Sequence, residues 1–127
     1  MRRHAVALAP AECCGGLIGA ISRERIDVRG LVPLRNVADD PARYLIEADT
    51  VLRLERHATA TGRHVVGFYH SHPCGSAEPS DTDLDLASPG YVYVIVQSSS
   101  GAVRGWRLRD DRAGFDEQQL TLMAGAP

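Results

Sequence analysis

Two histidines one residue apart, His70 and His72, followed by Ser80 and Asp83, are the residues best suited to chemistry. The segment reads His-Ser-His-Pro-x6-Ser-x-x-Asp and follows directly on the apolar run Val65-Val66-Gly67-Phe68-Tyr69. Successive strand residues point to opposite faces, so the two imidazoles leave the strand end from one face. With the carboxylate of Asp83 in the next turn they make a set suited to zinc, with a fourth position open for water. Zinc held in this way lowers the pKa of its water toward ~7 and polarises a carbonyl oxygen. Such a site still needs a base beside the water. Glu12 is the candidate, because it lies just before the glycine-rich run 14–21 and can lean over the sheet toward the metal. Ser80 is available to hydrogen-bond either the water or the oxyanion that develops on a scissile carbonyl.

Each of these residues also has a plainer reading. Ser80-Asp81-Thr82-Asp83 is a helix start, with Ser80 as N-cap and Asp83 near the capping-box position. Asp81 and Asp85 are rival carboxylates that suit solvent near the positive end of that helix. Cys74 is a possible soft ligand for a closed, structural zinc site, but Pro73 and Gly75 break the strand alternation around it, and it reads as a loop thiol. His4, His57 and His64 lack metal-like spacing and read as surface residues, while Trp106, Tyr91 and Tyr93 read as sheet residues.

The elements that must carry these groups follow from periodicity. Residues 2–11 suggest a short helix. The run 14–21 reads as a buried strand whose glycines allow close backbone approach. Residues 25–34 alternate and read as a half-buried strand. Tyr44-Leu45-Ile46 suggests a short strand, and Asp49 or Thr50 can cap a helix over about 50–61 with Val51, Leu52, Leu54 and Ala58 on one side. Gly62 ends it. Strand 64–70, a loop at 73–79 and a helix from 81 to about 87 come next. The run 91–96 is the strongest strand and is expected to be central. Strand 102–109, with Trp106, and a last strand or mixed segment at 115–122 complete the pattern. This is an α/β or α+β arrangement, a largely antiparallel or mixed sheet with two or three helices.

Composition narrows the classes. The chain has 127 residues, enough for one core, and reads as a single domain over 1–127. Hydrophobic residues at 44% and charged residues at 24% exclude disordered and collagen-like classes. No apolar run approaches the roughly 18 residues of a membrane span. The start of the chain lacks the long apolar stretch of a signal peptide, and Glu12 interrupts it, so a cytoplasmic protein is expected. A formal net charge of −2 gives no electrostatic case for nucleic acid or an anionic membrane. All 14 basic residues are arginine, which excludes a Schiff-base or P-loop lysine. Three cysteines, Cys13, Cys14 and Cys74, are not a disulfide framework and fit a reducing compartment. Cys13 and Cys14 are expected to split between the core and a semi-exposed face.

Taken together, Glu12-Cys13-Cys14-Gly15-Gly16-Leu17-Ile18-Gly19, His70-Ser71-His72-Pro73 and Ser80-x-x-Asp83 resemble the JAMM (MPN+) metalloprotease family. Tyr44-Leu45-Ile46 before a helix and Val66-Gly67-Phe68-Tyr69 before the histidines are similar to that family's layout. The resemblance implies a cytidine-deaminase-like MPN domain. It implies zinc on His70, His72 and Asp83, Glu12 as the base that shuttles a proton, and Ser80 beside the tetrahedral intermediate. The family usually has a strand and a longer helix ahead of the glutamate. Eleven residues precede Glu12 here, which leaves a longer N-terminus or an edge supplied by another chain as expectations. With 127 residues the chain is expected to lack the long insertions of eukaryotic relatives, and it resembles the compact prokaryotic form. Those relatives cleave after the C-terminal Gly-Gly of ubiquitin-like sulfur-carrier proteins, releasing cysteine or another adduct, and the carrier's tail is expected to add as a strand beside the groove. Two other classes stand beside this one: a non-catalytic scaffold of the same fold, and a metal-dependent hydrolase of small amides or peptides.

Overall fold

A strand buried on both faces reads as one continuous apolar run, and Val92–Gln97 is such a run. In the computed structural model, which describes residues 1–121, it lies inside a six-stranded sheet. The elements in chain order are α1 (Arg2–Leu8), β1 (Cys14–Ile21), β2 (Ile26–Leu34), α2 (Ala48–Ala60), β3 (His64–His72), α3 (Asp81–Leu86), β4 (Val92–Gln97), β5 (Val103–Leu108) and β6 (Phe115–Gln118). The sheet order is β2-β1-β3-β4-β5-β6. β3 and β4 run parallel, and the other neighbouring pairs are antiparallel. A parallel pair needs a crossover, and here residues 73–91, with α3, make it. That crossover rises from the end of β3 that carries the histidines.

Both faces of the sheet are covered. On one, Ala5 of α1 packs with Cys13, Leu17, Val66, Tyr69, Val92 and Val94. On the other, Leu54 and Ala58 of α2 meet Ile18, Phe68 and Tyr93. A smaller cluster of Ala77, Ile95 and Trp106 lies under the crossover, and the Trp106 indole N–H donates to the Ala77 carbonyl at 3.0 Å. That bond ties the loop after His72 to the sheet. Two glycines mark where strands approach too closely for a side chain. A Cβ on Gly15 would lie 2.2 Å from the Tyr69 ring, and one on Gly67 would lie 1.9 Å from the Val92 carbonyl oxygen.

Several expectations need correction. Residues 44–46 are not a strand. The Leu45 N–H donates to the Asn36 side chain and the Leu45 carbonyl accepts from Val37, so side-chain and turn bonds replace a ladder. Helix α2 starts at Ala48 after Glu47, and no side chain caps it. Asp49 lies in its first turn and pairs with Arg53 at 2.8 Å. Leu52 is 44% exposed, because it stands about 200° around the helix from Leu54. Cys13 and Cys14 do not split between environments; both are fully buried, since neighbours cover each face of β1. Strand β3 continues through His72, and β6 ends at Gln118; residue 122 of the expected last segment lies outside the described residues. His4 is half-buried, with its Nδ1 3.0 Å from the Tyr69 hydroxyl.

Candidate metal centre

The site forms where β1 begins and β3 ends. Antiparallel pairing sets Cys14 opposite His70, and the Ser71 N–H donates to the Cys13 carbonyl at 3.0 Å. The same register carried one step further brings Glu12 opposite His72, on the face that bears both imidazoles. Ser71 points to the other face, where its buried hydroxyl accepts from the Cys13 N–H at 2.7 Å and locks the start of β1 to the end of β3. A carboxylate 58 residues upstream of His70 is thereby a cross-strand neighbour.

Asp83 arrives from the crossover. Ser80 caps α3: its hydroxyl accepts from the Asp83 N–H at 3.1 Å, and Asp83 Oδ2 accepts from the Ser80 N–H at 2.9 Å. This capping box turns the Asp83 carboxylate back toward the histidines. Its two oxygens lie 3.2 Å from His70 Nε2 and 3.1 Å from His72 Nε2, and the two Nε2 atoms are 3.1 Å apart. Glu12 joins the histidines in a group whose donor atoms lie within 4.8 Å of one another, a group able to hold a metal ion.

The donor chemistry tests whether a cation fits. His72 Nδ1 lies 2.8 Å from the Ser76 carbonyl, which can only accept, so a proton sits on Nδ1 and His72, when neutral, turns a lone pair inward at Nε2. That lone pair faces a carboxylate and a second imidazole nitrogen. Three mutual contacts of 3.1–3.2 Å cannot all be hydrogen bonds, since two imidazoles bring at most two inward protons. A cation among the two nitrogens and the carboxylate satisfies every contact. Tetrahedral zinc with bonds of about 2.0–2.1 Å sets its ligands about 3.3 Å apart, close to the spacing here. The residues fit the metal.

The two carboxyls are driven in opposite directions. Burial pushes Glu12 up to about 7 from an ordinary 4.5, opposed by His72 and helped by the Asp83 charge. Its buried Oε1 has no hydrogen-bond partner. Burial would raise Asp83 too, but hydrogen bonds from His70 and His72 outweigh it and hold Asp83 well below the usual carboxylate range. Burial lowers His70, while for His72 the Asp83 and Ser76 bonds overcome burial and raise it. Beside the centre, Pro79, Ser80, Leu84, Trp106 and Phe115 line an open groove of about 360 Å³. The groove reaches Ser80 without including the histidines.

A family model described as prokaryotic homologs of the JAB domain matches residues 1–109. The chain belongs to this JAB-domain family. It is 38% identical over 96 residues to a desampylase of Haloferax volcanii, covering 74% of this chain and 68% of that protein. It is 32% identical over 99 residues to a CysO-cysteine peptidase of Mycobacterium tuberculosis, covering 77% and 66% respectively. The chain thus spans about two thirds of the length of these relatives. A solved structure of a Desulfitobacterium hafniense protein superposes with a TM-score of 0.86 at 28% identity, covering 97% of this chain and 86% of that one. The family expected from the motifs and the mixed sheet with three helices therefore stand.

Within this JAB domain, His70, His72 and Asp83 come together at the end of β3, Glu12 joins the histidines, and Ser80 reaches the group through Asp83. Asp81 and Asp85 stay exposed on α3, and Cys74 is exposed in the loop, outside the cluster with Glu12. Sequence reasoning missed Tyr44, whose ring stacks on His70 with centroids 4.2 Å apart and planes at 19°. It also missed Asn36 and gave Ser71 no role. A serine between two histidines that share one face was a usable signal, since its hydroxyl must lie on the opposite face and, once buried there, needs a partner. Asn36 stands alone in a loop and offered none.

Proposed function

We propose that the chain is a zinc-dependent peptidase that hydrolyses the amide or isopeptide bond after the C-terminal Gly-Gly of a ubiquitin-like sulfur-carrier protein. The observation that carries the reading is the convergence of His70 Nε2, His72 Nε2 and the Asp83 carboxylate at 3.1–3.2 Å, with the Glu12 carboxyl beside the histidines. Asp83 joins His70 and His72 as a ligand. Glu12, whose buried Oε1 has no hydrogen-bond partner, is the proton carrier, and the upward push of burial on its pKa supports that role. Bound zinc supplies a polarised water and a Lewis acid for the scissile carbonyl.

The chain's own groups do the rest. Glu12 accepts the proton of the attacking water at a carboxylate oxygen and returns it to the departing amine, so water and amide become carboxylate and amine. Ser80 uses its lone pair to cap α3, which leaves its O–H to donate to the oxyanion. The Ser76 carbonyl keeps His72 in the tautomer that directs Nε2 inward. The groove beside Ser80 offers room for chain next to the scissile bond. The relatives' names, desampylase and CysO-cysteine peptidase, support a carrier-protein substrate.

The test is mass spectrometry of a carrier–cysteine adduct with enzyme, with chelated enzyme and with Glu12→Gln. Wild type should bind about one zinc and release the adduct. Glu12→Gln should keep the metal and lose about 10²–10⁴-fold in turnover. A Glu12→Gln enzyme with full turnover refutes the assignment of the base. A metal-free wild type that takes up no zinc favours a non-catalytic binding domain instead, and cleavage of short peptides alone moves the substrate to small amides.

A further inference from the structure

Asn36 uses all of its hydrogen-bonding capacity on backbone around the candidate site. Its Nδ2 donates to the Glu12 carbonyl at 3.0 Å and to the Arg43 carbonyl at 2.9 Å. Its Oδ1 accepts from the Ala38 and Leu45 N–H groups, both at 3.0 Å. The loop it closes is further joined to the site by the Glu12 N–H, which donates to the Pro41 carbonyl at 3.1 Å. One amide therefore fastens both ends of the 36–45 loop and the residue at the head of β1.

The loop delivers Tyr44, whose ring lies flat on His70. His70 has particular need of it. A metal-binding histidine is normally oriented by a hydrogen bond from its other ring nitrogen. His72 has that bond, to the Ser76 carbonyl, but the buried His70 Nδ1 has no partner. Beyond its Nε2 contacts and the edge of His72, the Tyr44 stack is the contact that lies flat on the His70 ring and sets its plane.

We infer that Asn36 is a positioning residue: it clamps the 36–45 loop against Glu12 and so presses Tyr44 onto His70, fixing the imidazole whose Nδ1 has no hydrogen-bond partner. The inference rests on the zinc reading above only where zinc is the readout. Asn36→Asp tests it, since the carboxylate keeps both accepted bonds and loses both donated ones. In metal-free protein, the His70 ring Cε1–H resonance carries the ring-current shift of the Tyr44 stack. In Asn36→Asp it should move to the position it takes in Tyr44→Leu, and zinc affinity should fall about tenfold in both variants. A purely structural role would lower the unfolding midpoint and leave the resonance and the affinity of the folded protein unchanged. That result overturns the clamp. If wild type binds no zinc, the functional reading falls, and the His70 resonance alone decides the clamp. If Asn36→Asp does not fold, Tyr44→Leu decides: weakened zinc binding supports the loop's role, and wild-type affinity overturns it.

Discussion

Glu12 makes a sharp prediction for the metal-free protein. Its carboxyl titrates near 7 when folded and near 4.5 when ordinary, and burial is the leading cause. Below about pH 4.5 both folded and unfolded chains carry the proton, and Glu12 costs nothing. Between about 4.5 and 7 only the folded state keeps it, so stability falls by about 1.4 kcal/mol for each unit of pH. Above about 7 the loss is complete, near 2.5 units or about 3 kcal/mol. Glu12→Gln replaces the carboxyl with a neutral group of the same shape and removes this penalty. Asp83, His70 and His72 are present in both proteins, and the difference therefore reports Glu12 together with its coupling to His72 and Asp83. The assay is thermal unfolding with chelator across this range. At about pH 8.5 the variant should melt roughly 10 °C above wild type, given about 2.1 cal/mol/K of unfolding entropy per residue. At about pH 5 the gap should shrink below about 1 kcal/mol. Equal midpoints at high pH, or a gap that ignores pH, would refute the claim that the site holds a carboxyl against its own solvation.

Two further outcomes follow from the geometry. Gly67→Ala should destabilise the fold by about 3 kcal/mol or more, because its Cβ would meet the Val92 carbonyl oxygen where β3 and β4 pair; denaturant unfolding measures it, and a loss within about 0.5 kcal/mol would contradict the close approach. Cys74→Ser should keep zinc affinity within about twofold in a chelator competition, as the thiol is exposed and outside the histidine cluster. A tenfold loss would revive the closed, structural site with a sulfur ligand.

How much of this was legible in the sequence depends on how local each signal is. The His70–His72 pair was readable because strand alternation needs only neighbours, and β3 simply runs two residues further than expected. Ser80 and Asp83 supported both a cap and a ligand reading, and the structure shows why neither excluded the other. The box that satisfies the first turn of α3 is also what aims the carboxylate. Glu12 depended on a register that no local pattern states, yet the glycines of β1 marked a strand pressed against its neighbours. The 36–45 loop was misread because Tyr44-Leu45-Ile46 has strand composition, while its bonds go to one asparagine side chain. Cys13 and Cys14 were misread on the assumption of a sheet with one wet face. With α1 on one side and the other face covered at β1, alternation no longer separates buried from exposed.

The same particulars bear on how the proposed zinc would bind. If the ligands had to be ordered by the metal, part of its binding free energy would be folding free energy, and chelation would unfold the chain. Here each proposed ligand has an anchor within the protein. The Ser76 carbonyl lies on His72, the Tyr44 ring stacks on His70, and the capping box turns Asp83. Two of the three anchors sit on fastened segments, one tied to β5 by the Trp106 bond to Ala77 and the other closed by the Asn36 bonds to Glu12 and Arg43. A centre braced in this way keeps its shape as charge builds up during the reaction, which is the condition for electrostatic stabilisation in catalysis. Of the three buried side-chain atoms without a hydrogen-bond partner among the described residues, two, Glu12 Oε1 and His70 Nδ1, belong to the side chains of this centre.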